Sequence, residues 1–148
     1  MHGLNLKKIM ILLLLIATSY SSFASEIYIY EDKNRTLSPE KAKELFFAGK
    51  FNPLPLGDFN AGFTKSYFWL AIKPSASVTD QNLIVGNAHI NRLEFYLADQ
   101  NGMRLQYLTG DHYPFKKRPI SHRLFVFPLQ AGIKGFYLVK VDKSNESL

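Results

Sequence analysis

Short strand-sized segments rich in apolar residues recur along most of this chain. Residues 26–31 (EIYIYE) alternate as a half-buried strand does, with every second side chain facing a core. Further strand signals follow at 66–73, 82–86, 92–98, 103–108, 123–129 and 135–141, several of them as continuous apolar runs. Asn101-Gly102 is a tight-turn dipeptide, so 92–98 and 103–108 read as the two arms of a hairpin. One stretch differs. Ala42, Leu45, Phe46 and Gly49 fall at helical spacing behind Ser38 as N-cap, Pro39 as first helical residue and Glu40 in the first turn. Leu37 is placed to staple onto Ala42, and Gly49 ends the helix near residue 48. Residues 52–57 (NPLPLG) hold two prolines, each of which removes a backbone donor, so they are expected to be an irregular connector. Many short strands with turn residues between them predict an all-β sandwich or barrel with one short N-terminal helix. The run 136–141 (FYLVKV) has the composition of a central strand, yet only a short polar tail follows. Either this strand lies at a free sheet edge, or the fold continues in a longer chain.

The first 24 residues are of a different kind. Lys7 and Lys8 precede the apolar run 9–17 (IMILLLLIA), and Ser22-Phe23-Ala24 is a small-x-Ala cleavage site. This is the pattern of a secretory signal peptide cut after Ala24, with an apolar run well short of the ~20 residues that a membrane span needs. The expected domain is then 25–148, exported to the periplasm or the outer face of the inner membrane. The chain has no cysteine, so its stability must come from the core alone, and 47% hydrophobic and 14% aromatic residues supply one. The net charge of +6 falls by two when Lys7 and Lys8 leave, and the remaining cations are scattered. A nucleic-acid binder would show a dense basic stripe, so no nucleic-acid partner is expected.

One segment concentrates the chemistry. Residues 109–129 (TGDHYPFKKRPISHRLFVFPL) hold an acid, two histidines, three prolines, four cations and several aromatics between two strand signals. A stretch this polar reads as a long loop, 110–121, feeding the strand 123–129, and loops on rigid β scaffolds are where binding residues concentrate. Hydroxyl-rich ligands need fixed donors and acceptors with aromatic cover. Asp111, His112, Arg118, His122 and Arg123 are the candidates here, with Tyr113 or Phe115 as cover. The competing interpretation is structural: Arg123 pairs with Asp111 to pin the loop, and His122 caps the strand. Trp69, the single tryptophan, is a candidate stacking surface for a sugar ring. On its strand it shares a face with Tyr67 and Ala71, which suits burial in the sheet equally well. His89, His112 and His122 show no ligand spacing on one element, so neither metal nor cofactor is expected. No nucleophile motif is present, and nothing places two of Asp58, Asp99 and Asp111 as a hydrolytic pair. The chain is therefore not expected to be an enzyme.

The order of these motifs resembles a known family. Tyr67-Phe68-Trp69-Leu70 opens it, followed by the strand signals of 83–96 and by Thr109-Gly110-Asp111. Arg118-Pro119-Ile120-Ser121-His122-Arg123 then leads into a Phe-rich strand. Together they resemble the second type of extracellular domain of bacterial seven-transmembrane receptors with diverse intracellular signalling modules, over about residues 37–141. The resemblance implies a jelly-roll-like β-sandwich similar to carbohydrate-binding modules. It also implies a periplasmic sensor whose ligand signal passes through seven helices to a cytoplasmic output, typically a diguanylate cyclase or histidine kinase. No seven-helix region or output module lies within these 148 residues.

The expected function is therefore ligand sensing outside the cytoplasm. The ligand would be a carbohydrate or similar small polar molecule, and the receptor's membrane helices or a signalling partner would relay the event. The alternative is a stand-alone exported interaction module that docks on an envelope receptor through a free edge at 136–141, because unpaired edges recruit partners.

Overall fold

The computed structural model describes residues 25–54, 62 and 64–144. The export segment, residues 55–57 of the expected connector and residues 145–148 lie outside the described residues. Eight strands and one α-helix are described: β1 (Glu26–Asp32), α1 (Pro39–Phe47), β2 (Asn52–Pro53), β3 (Tyr67–Lys73), β4 (Gln81–Val85), β5 (Arg92–Asp99), β6 (Gly102–Thr109), β7 (Phe125–Leu129) and β8 (Gly135–Asp142). The helix begins as its sequence requires. The Ser38 hydroxyl accepts the Lys41 N–H at 3.2 Å, and Pro39 fills the first position. It ends at Gly49, whose φ of +68° suits glycine and whose N–H reaches the Phe46 carbonyl at 3.0 Å. The connector differs from expectation at one point. Asn52 and Pro53 pair with Ile29 and Tyr28 as a two-residue strand. Proline is tolerated there because the strand lies at the sheet edge, where its missing donor breaks no ladder.

The strands divide into a six-stranded antiparallel sheet, in the order β2-β1-β3-β8-β5-β6, and a two-stranded sheet, β4-β7. The larger sheet has a core on each face. Towards the small sheet it presents Phe68, Ile72, Leu93, Phe95, Tyr137 and Val139, which meet Phe125, Phe127 and Leu129. Phe95 and Phe127 stack there with ring centroids 4.7 Å apart. Towards α1 it presents Trp69, Ala71, Ala98, Phe136 and Leu138, against Ala42 and the flanking Leu45 and Phe46. Ala42, Ala71 and Ala98 are all fully buried, and their small side chains let the helix approach the sheet closely.

β8 lies between β3 and β5, so 136–141 is the central strand its composition suggests and not a free edge. The edge-docking alternative loses its motive. Burial on both faces explains why β8 is apolar at nearly every position. The result is an all-β, sandwich-like fold with a helix on the outer face of its larger sheet.

Candidate ligand-binding site

The loop that follows β6 is tied down from its root. Gly110 has φ +140°, and a methyl group on it would stand 2.3 Å from the Asn91 carbonyl oxygen, so only glycine fits. The Asp111 N–H donates to the Ile90 carbonyl at 2.8 Å, and the His112 N–H to that of Asn91 at 3.3 Å. Beyond a 3-10 turn at Phe115–Lys117, Arg118 folds back. One of its guanidinium nitrogens donates to the carbonyls of His122 (2.9 Å) and Arg123 (2.5 Å). The guanidinium lies over the rings of Phe125 at 4.2 Å and Phe115 at 4.9 Å. Its side chain is only 11% exposed, and its other nitrogen stands 3.9 Å from the Asp111 carboxylate. Arg118, not Arg123, is therefore the residue beside Asp111. The ring of His89 stands 3.5 Å from the other Asp111 oxygen. His122 accepts the Leu124 N–H on Nδ1 at 3.0 Å, a cap at the approach to β7. His112 and Arg123 are exposed, and Tyr113 is half-buried. The loop thus brings Asp111 and Arg118 together and leaves His112 and Arg123 exposed.

Trp69 is elsewhere and fully buried. It lies on the helix-facing side of the sheet, stacked on Tyr96 with centroids 6.4 Å apart. Its ring is packing and offers no open face to a sugar. Its indole Nε1 is buried without a hydrogen-bond partner among the described residues.

Beside Trp69 the helix no longer covers the sheet, and the register assembles a group of residues that the sequence scatters. Trp69, Lys140 and Glu94 form one row across β3, β8 and β5. Tyr67, Asp142 and Arg92 form the next row. Each row carries one acid and one base, so the charges alternate across a hollow of about 190 Å³ lined by Tyr67, Arg92, Glu94, Lys140 and Asp142. Glu94 is held on both oxygens: Arg92 Nε lies 2.9 Å from one, and the Tyr96 hydroxyl donates to the other. That bond and burial hold the Tyr96 phenol well above its ordinary pKa, with burial the larger cause. Asp142 accepts the backbone and hydroxyl donors of Ser144 on one oxygen. The Lys140 ammonium lies 4.6 Å from the centre of the Tyr67 ring and 5.5 Å from that of Trp69, and has no ion-pair partner among the described residues. Arg35 lies over the same Tyr67 ring at 4.5 Å and donates to its hydroxyl at 2.9 Å. The patch thus holds a fixed carboxylate, a second carboxylate with an oxygen to spare, and an ammonium with open donor capacity.

Tyr67 belongs to a recognisable motif, but Arg92, Glu94, Lys140 and Asp142 do not stand out by motif. A faint signal exists. Arg92/Glu94 and Lys140/Asp142 put charges at alternate positions near one end of otherwise apolar strands, hence on one face. Among the described residues no group of three or more His, Cys, Asp or Glu side chains is arranged to hold a metal ion. No helix among them is long and apolar enough to cross a membrane.

Among curated proteins none matches this chain. A family model does: the one described as 7TMR-DISM extracellular 2 matches residues 24–148. Domains of that description are held on the periplasmic or extracellular side of seven-transmembrane receptors. The chain belongs to the 7TMR-DISM extracellular 2 family, the sensor domains of those receptors.

Proposed function

We propose that this domain senses a carbohydrate or similar small polar ligand without chemical turnover, and that the ligand rests on the open half of the helix-facing sheet. The observation that carries this reading is the alternating-charge hollow at Tyr67, Arg92, Glu94, Lys140 and Asp142. Hydroxyl-bearing molecules need donors and acceptors fixed at short spacing. The sheet supplies them on a rigid surface, about 4.5–5.5 Å apart across neighbouring strands. At about 190 Å³ the hollow is smaller than the roughly 300–1,000 Å³ of drug-sized pockets, which suits a single sugar ring or a molecule of that size. The loop set of Asp111, His112, Tyr113, Arg118, His122 and Arg123 is the weaker placement. Its best donor, Arg118, already serves two carbonyls of its own loop.

Calorimetry and thermal shift against a panel of mono- and disaccharides, sugar acids and amino acids provide the test. A ligand that binds wild type should bind Lys140→Met at least about tenfold more weakly, the scale of a lost charged hydrogen bond. Arg123→Ala should bind as wild type does. A silent panel would sink the reading. Loss of binding in Arg123→Ala or His112→Ala, with Lys140→Met unaffected, would move the ligand to the loop.

A further inference from the structure

The strand register fixes which residues gather at each end of the sandwich. Asp32, Tyr67, Asp142 and Arg92 form a row across β1, β3, β8 and β5 at one end. Glu26 with Lys73, and Asp99 with Gly135, close the other. The loop 110–123 springs from the first end, because Thr109 pairs with Leu93. Ser144 lies there too: its carbonyl accepts from the Asn91 side chain, while the Asn91 carbonyl accepts from His112. The loop and the segment following β8 therefore leave the sandwich side by side.

Charge is shared unequally between the two ends. Lys33, Arg35, Lys65 and Lys143 lie next to the row at the loop end, and the loop adds Lys116, Lys117 and Arg123. Between Tyr113 and Leu124 there is no acidic residue. The acids near this end face partners within the protein, apart from one open oxygen of Asp142. Asp32 accepts the Thr36 and Leu37 N–H groups, Glu94 faces Arg92 and Tyr96, and Asp111 faces Arg118 and His89. Amid these cations the loop crest holds two apolar side chains in water: Phe115 is 54% exposed and Ile120 38%. Arg118 fixes the crest from below, so its shape exists before any partner arrives.

A preformed crest of an exposed aromatic ring among lysines with no ion-pair partner in the described residues has the chemistry of an interfacial membrane anchor. The ring enters the headgroup boundary, and the ammonium groups meet lipid phosphates. We propose that the loop end of this domain docks on an anionic phospholipid surface, with Phe115 as the apolar wedge and Lys116 and Lys117 as the headgroup contacts. A lipid surface is within reach because the family's domains belong to membrane receptors. The proposal rests on that membership and is independent of the ligand reading.

The test is partitioning of the full chain onto vesicles of phosphatidylcholine, with and without phosphatidylglycerol. The N-terminal apolar run and its Lys7 and Lys8 are the same in every variant, so dividing each variant's anionic-over-neutral ratio by that of wild type cancels their contribution. The ratio should favour the anionic vesicles and fall with added salt. Lys116→Ala/Lys117→Ala should lower it about twenty-fold or more, since each cation near an anionic surface contributes about five-fold. Phe115→Ser should weaken binding to the anionic vesicles about ten-fold, the scale of a half-buried phenyl ring. Ile120→Ser gives a second measure of the apolar part that leaves the Phe115–Arg118 contact intact. Lys73→Ala/Lys134→Ala removes the same charge from the opposite end and should change the ratio less than about two-fold. Equal partitioning onto both vesicles would overturn the proposal. So would an equal loss in the opposite-end pair, or binding that appears only when a second protein is added.

Discussion

The loop 110–123 and the open face of the large sheet hold similar chemistry in opposite states. The loop is dense in functional groups along the sequence, and the structure ties most of its strong ones to the loop itself. Arg118 serves the His122 and Arg123 carbonyls, His122 caps the approach to β7, and Asp111 faces Arg118 and His89. The sheet face is assembled from three strands distant in sequence, and it keeps Lys140 and one oxygen of Asp142 open. Proximity in sequence favours groups that satisfy one another, because a loop needs internal bonds to hold a shape. Groups that converge only through long-range pairing are held by the sheet's backbone ladder, so their side chains stay available.

That contrast is broken most severely at the loop root. Gly110→Ala puts a methyl group against the Asn91 carbonyl at a φ of +140°, and should cost at least about 3 kcal/mol. For a domain of this size that is a fall in Tm of about 12 °C. Urea denaturation or calorimetry reads it directly. An unchanged midpoint would mean that the loop is not anchored where β6 ends. Next in size is the difference between two arginines five residues apart. Arg118→Ala removes two charge-assisted hydrogen bonds and two ring contacts and should cost about 2 kcal/mol. Arg118→Lys should recover little of it, since an ammonium cannot reproduce the planar fork. Arg123→Ala should stay within about 0.5 kcal/mol, as exposed substitutions do. Equal costs for the two arginines would mean that the loop is not tied from within. Smaller again is the tenfold weakening of ligand binding expected for Lys140→Met, which tests the other half of the contrast.

Much of the fold is legible in the sequence, and its limits have physical causes. The helix could be read because its signals are local: Ser38, Pro39 and Gly49 act within a few residues of themselves. The strands were legible from short apolar segments between turn residues, and Asn101-Gly102 from its turn chemistry. Strand order was not, because pairing joins β3 to β8 across some 70 residues of chain and leaves no local mark. That is why 136–141 permitted an edge reading although it is central. The short β2 was hidden by its proline, which only an edge position forgives. The sheet-face patch was hidden for the same reason as strand order, since no motif records a row of residues from three strands. Tryptophan stands out by rarity, which makes Trp69 a candidate binding surface in the sequence although it is buried in the fold. Its neighbours Tyr67 and Lys140 are the ones at the surface.

The finest test of the sheet face is how firmly Glu94 is held. The Tyr96 hydroxyl donates to Glu94, and its ring lies on Trp69, so the phenol must keep its proton for the bond to exist. Burial, then that bond, raise the folded pKa above the ordinary value of 10.0. The sign follows. The protonated phenol contributes its full stability below pH 10, where folded and unfolded chains both keep the proton. Above pH 10 the unfolded chain releases its proton first, so stability is lost as pH rises towards the raised folded value, by at most about 1.4 kcal/mol per pH unit. Tyr96→Phe lacks this titration. It should be the less stable protein near about pH 8 by about 1 kcal/mol, the size of one hydrogen bond, and the gap should narrow as pH climbs past 10. Tyr28, also raised through its bond to Glu26, titrates in both proteins and cancels in the difference. Urea midpoints of the two proteins between about pH 8 and pH 11 give the comparison. A gap that stays constant would show that the Tyr96 proton does not fix Glu94. The carboxylate would then be free to turn, and the sheet face would be no more preorganised for a ligand than the exposed residues of the loop.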